Sequence, residues 1–339
     1  MTTDIAITPD EIQVILNQFE GSRLDVSSPL HGIDVATLEA RENGYRFRGI
    51  AGPEAFEGPD VVAWGAAIDE RPLYSDLLDT LLFAGIVRYE NFDVFLDRRR
   101  MLQTFKRGVR FVPDTNLFYH GFPSWSGLGG EELLVPSLVK DEITSGLNRK
   151  YGQEELAILR RSTPKGNSSL LDEFANQRTK RARRATHFAR TSLQGIIDEA
   201  AILLCEEPLT TDREENDARI VRAVRTSQSE RQRVPVLLTA DQNMSTLCEA
   251  EGVESFLFML PRDDLPKTAG FLEIGRWLYA LAAVWGVVKV NSVLLFSEWR
   301  GRTDQRYQVK VRFLNTSMAN GCNRDLQLCR ELRGLGIDR

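Results

Sequence analysis

The sequence predicts an α/β protein with a parallel-sheet core, preceded by a small α/β module and followed by a helix and β-hairpin extension. Three observations lead there. Residues 108–260 alternate short apolar, β-branched runs with helix-patterned stretches, as βαβ units of a parallel sheet do. Acidic residues recur where those runs end. Net charge shifts along the chain from −7 over residues 1–107 to −3 over 108–260 and +5 over 261–339. We therefore expect three domains: 1–107, 108–260 and 261–339. With 42% hydrophobic and 27% charged residues among 339, collagen-like, disulfide-scaffold and wholly disordered chains are excluded.

In the first segment, residues 10–19 pattern as a short amphipathic helix, 32–50 as one or two strands, and 72–87 as a helix stopped by Gly85. No chemistry stands out there. In the second, VRFVP (109–113), EELLVPSL (131–138), VPVLLTAD (234–241) and ESFLFML (254–260) read as strands. VKDEITSGLNRKYGQEELAILRR, TSLQGIIDEAAILLC (191–205) and ENDARIVRAVRTSQSERQ (215–232) read as helices, and GFPSWSGLGG (121–130) as a loop over the crevice. In the third, 271–284 is an apolar helix, 287–299 and 307–314 form a hairpin, and the last twenty residues fray.

The apolar stretch Trp277 to Phe296 is broken by Lys289, Asn291 and Ser292. Its uninterrupted part falls short of the ~20 residues a spanning helix needs, so no membrane partner is expected. The amino-terminal MTTDIAITPDEIQVIL lacks a basic and then apolar leader. Cys205, Cys248, Cys322 and Cys329 form no CxxC pair, which argues against structural zinc and for a reducing, cytoplasmic compartment.

The chemistry concentrates in four acids. Asp114 and Asp241 directly follow strand-like runs, while Glu142 and Asp217 sit in early helix turns. In a parallel sheet all four would meet at the carboxyl-end crevice. Clustered carboxylates repel one another unless a cation compensates, and hard oxygen ligands suit Mg²⁺ or Mn²⁺. Such an ion activates water and neutralises charge on a phosphodiester. Each acid taken singly would be a capping or surface carboxylate. Asp141 lies beside Glu142, and Asp212 crowds Asp217 closely enough to replace or supplement it.

The segments VRFVPDTN, VPSLVKDE, NDARI and LLTADQN resemble, in order and spacing, the four acidic motifs of the PIN-domain nuclease superfamily. On this resemblance the catalytic and metal-holding residues are Asp114, Glu142, Asp217 and Asp241, supported by Asn116 and Thr239. The resemblance implies a PIN-like, Rossmann-like α/β/α sandwich with strand order 3-2-1-4-5. It also implies metal-dependent hydrolysis of RNA in single-stranded or loop regions.

QRTKRARR (177–184) offers Arg178, Lys180, Arg181, Arg183 and Arg184 for phosphate contact, or else forms a solvated loop. The tail offers Arg300, Arg302 and Arg306 among aromatics, a combination that suits single-stranded nucleic acid, or an ordinary hairpin. His120 reads as a loop histidine. The functional expectation is a metal-dependent ribonuclease, an endonuclease of RNA processing or decay, with a homodimer as the assembly considered. The alternatives are a non-catalytic nucleic-acid-binding scaffold, and a toxin-type or DNA-directed nuclease of the same superfamily.

Overall fold

The computed structural model describes residues 3–19, 21, 23–57, 61–104, 108–230, 234–261, 265–302 and 308–337. The chain divides into two compact units, one of residues 1–86, 149–183 and 265–339, the other of 87–148 and 184–264.

The first unit is built on one eight-stranded sheet. Its strands are β1 (Thr3–Ile7), β2 (Arg23–Ser28), β3 (Ile33–Arg41), β4 (Gly44–Ile50), β10 (Thr268–Ala269), β11 (Val287–Val290), β12 (Val293–Phe296) and β13 (Val309–Phe313). They lie in the order β1-β13-β12-β11-β2-β3-β4-β10, every neighbour antiparallel. The expected amino-terminal module and carboxyl-terminal extension thus share a sheet. The expected single strand over 287–299 is a tight hairpin, turned at Asn291 with φ 49, a left-handed value asparagine tolerates. Residues 303–307, which would connect the expected tail hairpin, lie outside the described residues.

One face of this sheet is covered by α12 (Phe271–Trp285), which also packs on α2 (Tyr74–Ala84). From Trp277 to Trp285 the helix is buried all round, and the Trp277 indole N–H donates to Thr80 Oγ1 at 3.1 Å. The apolar stretch noted in the sequence is therefore core. Among the described residues no helix is long and apolar enough to cross a membrane. Gly286 links α12 to β11 at φ 82, and a Cβ there would stand 2.5 Å from the Phe174 ring, so glycine is required twice over. Gly85 ends α2 at φ 76, as expected.

Residues 149–183 belong here and not with the central segment. Leu156, Ile158 and Leu159 of α7 (Gln153–Ser162), with Leu171 and Phe174, share a core with Trp64, Val287 and Phe296. The short α1 (Ile12–Leu16) packs against α12, and it also packs against α13 (Thr316–Gly334), a regular helix where fraying was expected.

The second unit holds a parallel sheet of β5 (Val109–Pro113), β6 (Leu134–Pro136), β7 (Ala201–Leu203), β8 (Val234–Thr239) and β9 (Ser255–Leu257). Hydrogen bonding runs β5-β8-β9 and β6-β7, and a parallel Phe111–Leu133 bridge joins the two groups. The resulting order, β7-β6-β5-β8-β9, is 3-2-1-4-5. Helices α3 (Phe92–Gln103), α4 (Thr115–Tyr119), α5 (Phe122–Trp125), α6 (Ser137–Ser145), α9 (Arg190–Gln194), α10 (Arg213–Glu230) and α11 (Gln242–Glu251) belong with it, and α8 (Lys180–Arg184) leads in from the first unit.

Three local expectations are corrected in this unit. Helix α3 is part of its core: Phe95 meets Phe111, Phe256 and Phe258 edge-on, with ring centroids 5.1–5.6 Å apart. The GFPSWSGLGG loop contains α5, whose Phe122 is buried among those rings. The helix expected over 191–205 ends near Gly195, and AIL forms β7, because β6 provides a parallel ladder that periodicity alone does not reveal.

Candidate active site: an acidic crevice at the strand ends

Each of the four acids follows a different strand of the parallel sheet. Asp114 comes directly after β5, where its N–H donates to Leu238 O of β8 at 3.0 Å. Extended at φ −73, ψ 173, it caps α4: Oδ1 accepts from the Leu117 N–H at 3.0 Å. Oδ2 accepts from the hydroxyl of Thr239, the last residue of β8. The same Thr239 oxygen accepts the Asp241 N–H at 2.9 Å, and Asp241 caps α11 through Asn243 N–H at 2.8 Å. Thr239 is thus a buried clasp between two of the acids.

Glu142 lies on α6, the helix after β6, and accepts from Thr115 Oγ1 at 2.7 Å. Asp141 beside it is exposed, so helix phase selects Glu142. Asp217 lies on α10, the helix after β7. Asp212 is set apart: its Oδ1 takes the N–H groups of Glu214 and Glu215 at 3.0 and 3.4 Å, the work of a helix cap.

The acids form one electrostatic system. Asp217 is pushed up to about 7, first by burial and then by repulsion from Asp241, Asp114 and Glu142, with Arg213 opposing. Asp114 is pushed up to about 6, chiefly by burial, against the Thr239 and Leu117 hydrogen bonds and a nearby His120. His120 lies in the turn after α4, but it is not a solvent-facing loop histidine. It is 8% exposed, and its Nδ1 lies 2.8 Å from the Tyr89 hydroxyl.

The donor set is the hard, anionic oxygen set that divalent cations favour, and the repulsion raising Asp217 is what such a cation would relieve. Among the described residues, no three His, Cys, Asp or Glu side chains converge closely enough to enclose a metal unaided. Asn116 is exposed in the first turn of α4. The sequence reading missed Thr115, although its hydroxyl stands in the quoted D-T-N, directly after the first acid.

Most of the cations expected at phosphates are committed elsewhere. Lys180 is buried, paired with Asp76 at 3.0 Å and donating to Arg71 O at 2.8 Å. Arg183, 1% exposed, meets Glu70 at 3.4 Å, the Tyr151 hydroxyl at 2.6 Å and the carbonyls of Ala283 and Val284. Their burial corrects the expectation of phosphate contact at both positions. Arg178 and Arg302 converge on buried Glu298 at 2.9 and 2.8 Å, and Arg302 also lies over the Trp299 ring. Arg184 is half-buried with its guanidinium over the Tyr119 ring. Arg181 and Arg300 are exposed, and Arg306 lies outside the described residues.

Strand order, cap geometry and the coupled acids together define the class of the second unit, and the comparisons agree. Residues 111–258 match the family model of the PIN domain, and this part of the chain is a PIN domain of the nuclease superfamily. PIN domains are in general nucleases, hydrolases of nucleic acids that typically use divalent metals. No curated protein matches the chain. A solved structure described as a domain of a functionally unknown protein from Methanocaldococcus jannaschii DSM 2661 aligns at 14% identity and a TM-score of 0.29. That alignment covers 47% of this chain and 96% of that one.

Proposed function

We propose that the protein is a metal-dependent ribonuclease, cutting internally in single-stranded or loop RNA and serving RNA processing or decay in the cytoplasm. One observation carries the reading. Four carboxylates from successive βα units, in segments that resemble the PIN motifs, act on one another electrostatically, burial first and then the other three acids pushing Asp217 up to about 7. A surface meant only to bind phosphates would not collect four acids.

Asp114, Glu142 and Asp241 would hold a Mg²⁺ or Mn²⁺ ion, with Asp217 completing the set. Such an ion, when bound, lowers the pKa of a water and offsets charge on the phosphodiester. Thr239 and the Leu117 amide keep the Asp114 carboxylate aimed, and Thr115 does the same for Glu142.

The test is incubation of labelled single-stranded RNA and matched DNA with Mn²⁺, Mg²⁺ or EDTA, beside Asp114→Asn. Metal-dependent RNA cleavage lost in the variant is the expected result. Cleavage of DNA alone would redirect the assignment to a DNA nuclease, and binding without cleavage in any metal would point to a scaffold.

A further inference from the structure

Arginine suits phosphate better than any other side chain, and α10, the helix that brings Asp217, carries four of them. Three are committed. Arg219 and Arg222 share Glu207 and Glu215 at 2.9–3.2 Å, and Arg225 pairs with Glu251. Arg213 is the fourth. It is exposed in the first turn of α10, and among the described residues it has no hydrogen-bond or ion-pair partner.

Its place beside the acids follows from the fold. α10 is the helix after β7, so its first turn lies at the carboxyl end of the sheet, on the crevice side. Residues four apart share a helix face, and Asp217 stands four residues on, one turn deeper. The two charges sense each other, since Arg213 opposes the forces that raise Asp217. They form no ion pair, which leaves the guanidinium in solvent at the mouth of the crevice.

The turn that carries Arg213 is held on both sides. Asp212 caps it through the N–H groups of Glu214 and Glu215. Asn216, 7% exposed, spends its amide on Thr210. Its Oδ1 accepts the Thr210 N–H at 2.9 Å and hydroxyl at 3.0 Å, and its Nδ2 donates to the Thr210 carbonyl at 2.9 Å. The loop entering α10 is thus tied to the first turn, and Arg213 projects from a fixed base.

Four carboxylates carry up to four negative charges, of which a divalent ion offsets two. A phosphodiester entering the crevice therefore still meets repulsion. A cation above Asp217 relieves it, and a planar guanidinium can grip two phosphate oxygens at once.

We propose that Arg213 is a substrate-contacting residue of this site, binding a backbone phosphate of the RNA strand that the acids cut. The choice of RNA rests on the nuclease reading, but the contact is tested by binding.

The experiment measures fluorescence anisotropy of labelled oligouridine with Mn²⁺, from about 50 to about 200 mM salt, on the full chain carrying Asp114→Asn as the reference. Adding Arg213→Gln should weaken binding about tenfold and make the log K against log salt slope shallower by about 0.7, one phosphate contact. Arg213→Lys should restore the slope but only part of the affinity, because an ammonium does not grip two oxygens. Arg225→Gln removes the same charge from α10 roughly 18 Å further along and should bind like the reference. Reference-like affinity and slope in Arg213→Gln overturns the proposal, as does an equal loss in Arg225→Gln or no binding by the reference. Cleavage by the parent is scored apart. A parent that cleaves, beside an Arg213→Gln variant that binds normally, removes the contact alone. A parent that never cleaves, with binding still dependent on Arg213, removes the nuclease reading alone.

Discussion

The hydroxyl of Thr239 donates to Asp114 across 125 residues of sequence, while its oxygen accepts the N–H of Asp241. One buried side chain therefore sets the positions of two acids brought by separate strands.

Removing the charge at the centre of this clasp should abolish activity without unfolding the chain. Asp114→Asn keeps an oxygen for the Leu117 N–H. Cleavage should fall by at least about 10²-fold, the scale of losing a preorganised electrostatic group. Circular dichroism should be unchanged, and full turnover in the variant would remove the site assignment.

Without metal, acid should favour the fold at this site, against the opposing effect of His31, which burial holds down at about 3 and which costs stability as pH falls below about 6.5. Asp114 and Asp217 ionise at about 6 and about 7 in the folded chain, against 3.8 ordinarily. The native state therefore holds more protons than the unfolded one, and stability falls as pH rises between about 4 and 7. Fully buried Asp114 accounts for up to about 3 kcal/mol of this, and half-buried Asp217 for less than its shift implies. In EDTA, lowering pH from 8 to 5.5 should favour the parent over Asp114→Asn/Asp217→Asn in the change of Tm, and Mn²⁺ should raise the parent's Tm more at pH 8. The same pH response in parent and variant would contradict the raised acids.

Thr115→Val should weaken the site through Glu142. The lost hydrogen bond is worth about 1 kcal/mol. Apparent Mn²⁺ affinity should drop about 10-fold, as for loss of a group that orients a ligand, with Tm little changed, and Thr115→Ser should restore it. An unaltered metal titration in the Val variant would show that Glu142 does not depend on Thr115.

Arg183→Ala should act on stability. It strands Glu70 in the interior of the first unit, a change that costs about 3–5 kcal/mol where a buried pair loses one partner. Urea unfolding should register that loss. A variant as stable as the parent but weakened in RNA binding would restore the phosphate-contact reading.

The candidate site was largely legible because its residues mark the ends of strands. A carboxylate at such an end has its position set by the strand before it, so D-T-N, D-x-x-I and T-A-D locate the crevice from local sequence. Asn116 stood out as a polar residue while Thr115, the one that bonds Glu142, did not, since helix phase decides which of the two turns inward. The basic run misled for a different reason. Its acids, Asp76 and Glu70, lie 104 and 113 residues away, and no local pattern announces a distant counter-charge. The two units were hidden in the same way: alternation in β2 and β11 says that each is a strand, but not that Val26 pairs with Val290.

That pairing of distant segments bears on biosynthesis. β1 leaves the ribosome about 300 residues before its partner β13, a wait of about 15–60 s at ordinary elongation rates. β5, β8 and β9, all from the middle of the chain, have emerged before then. The PIN domain can thus be shaped while β1 is still unsheltered, and that strand is where a chaperone would be needed most.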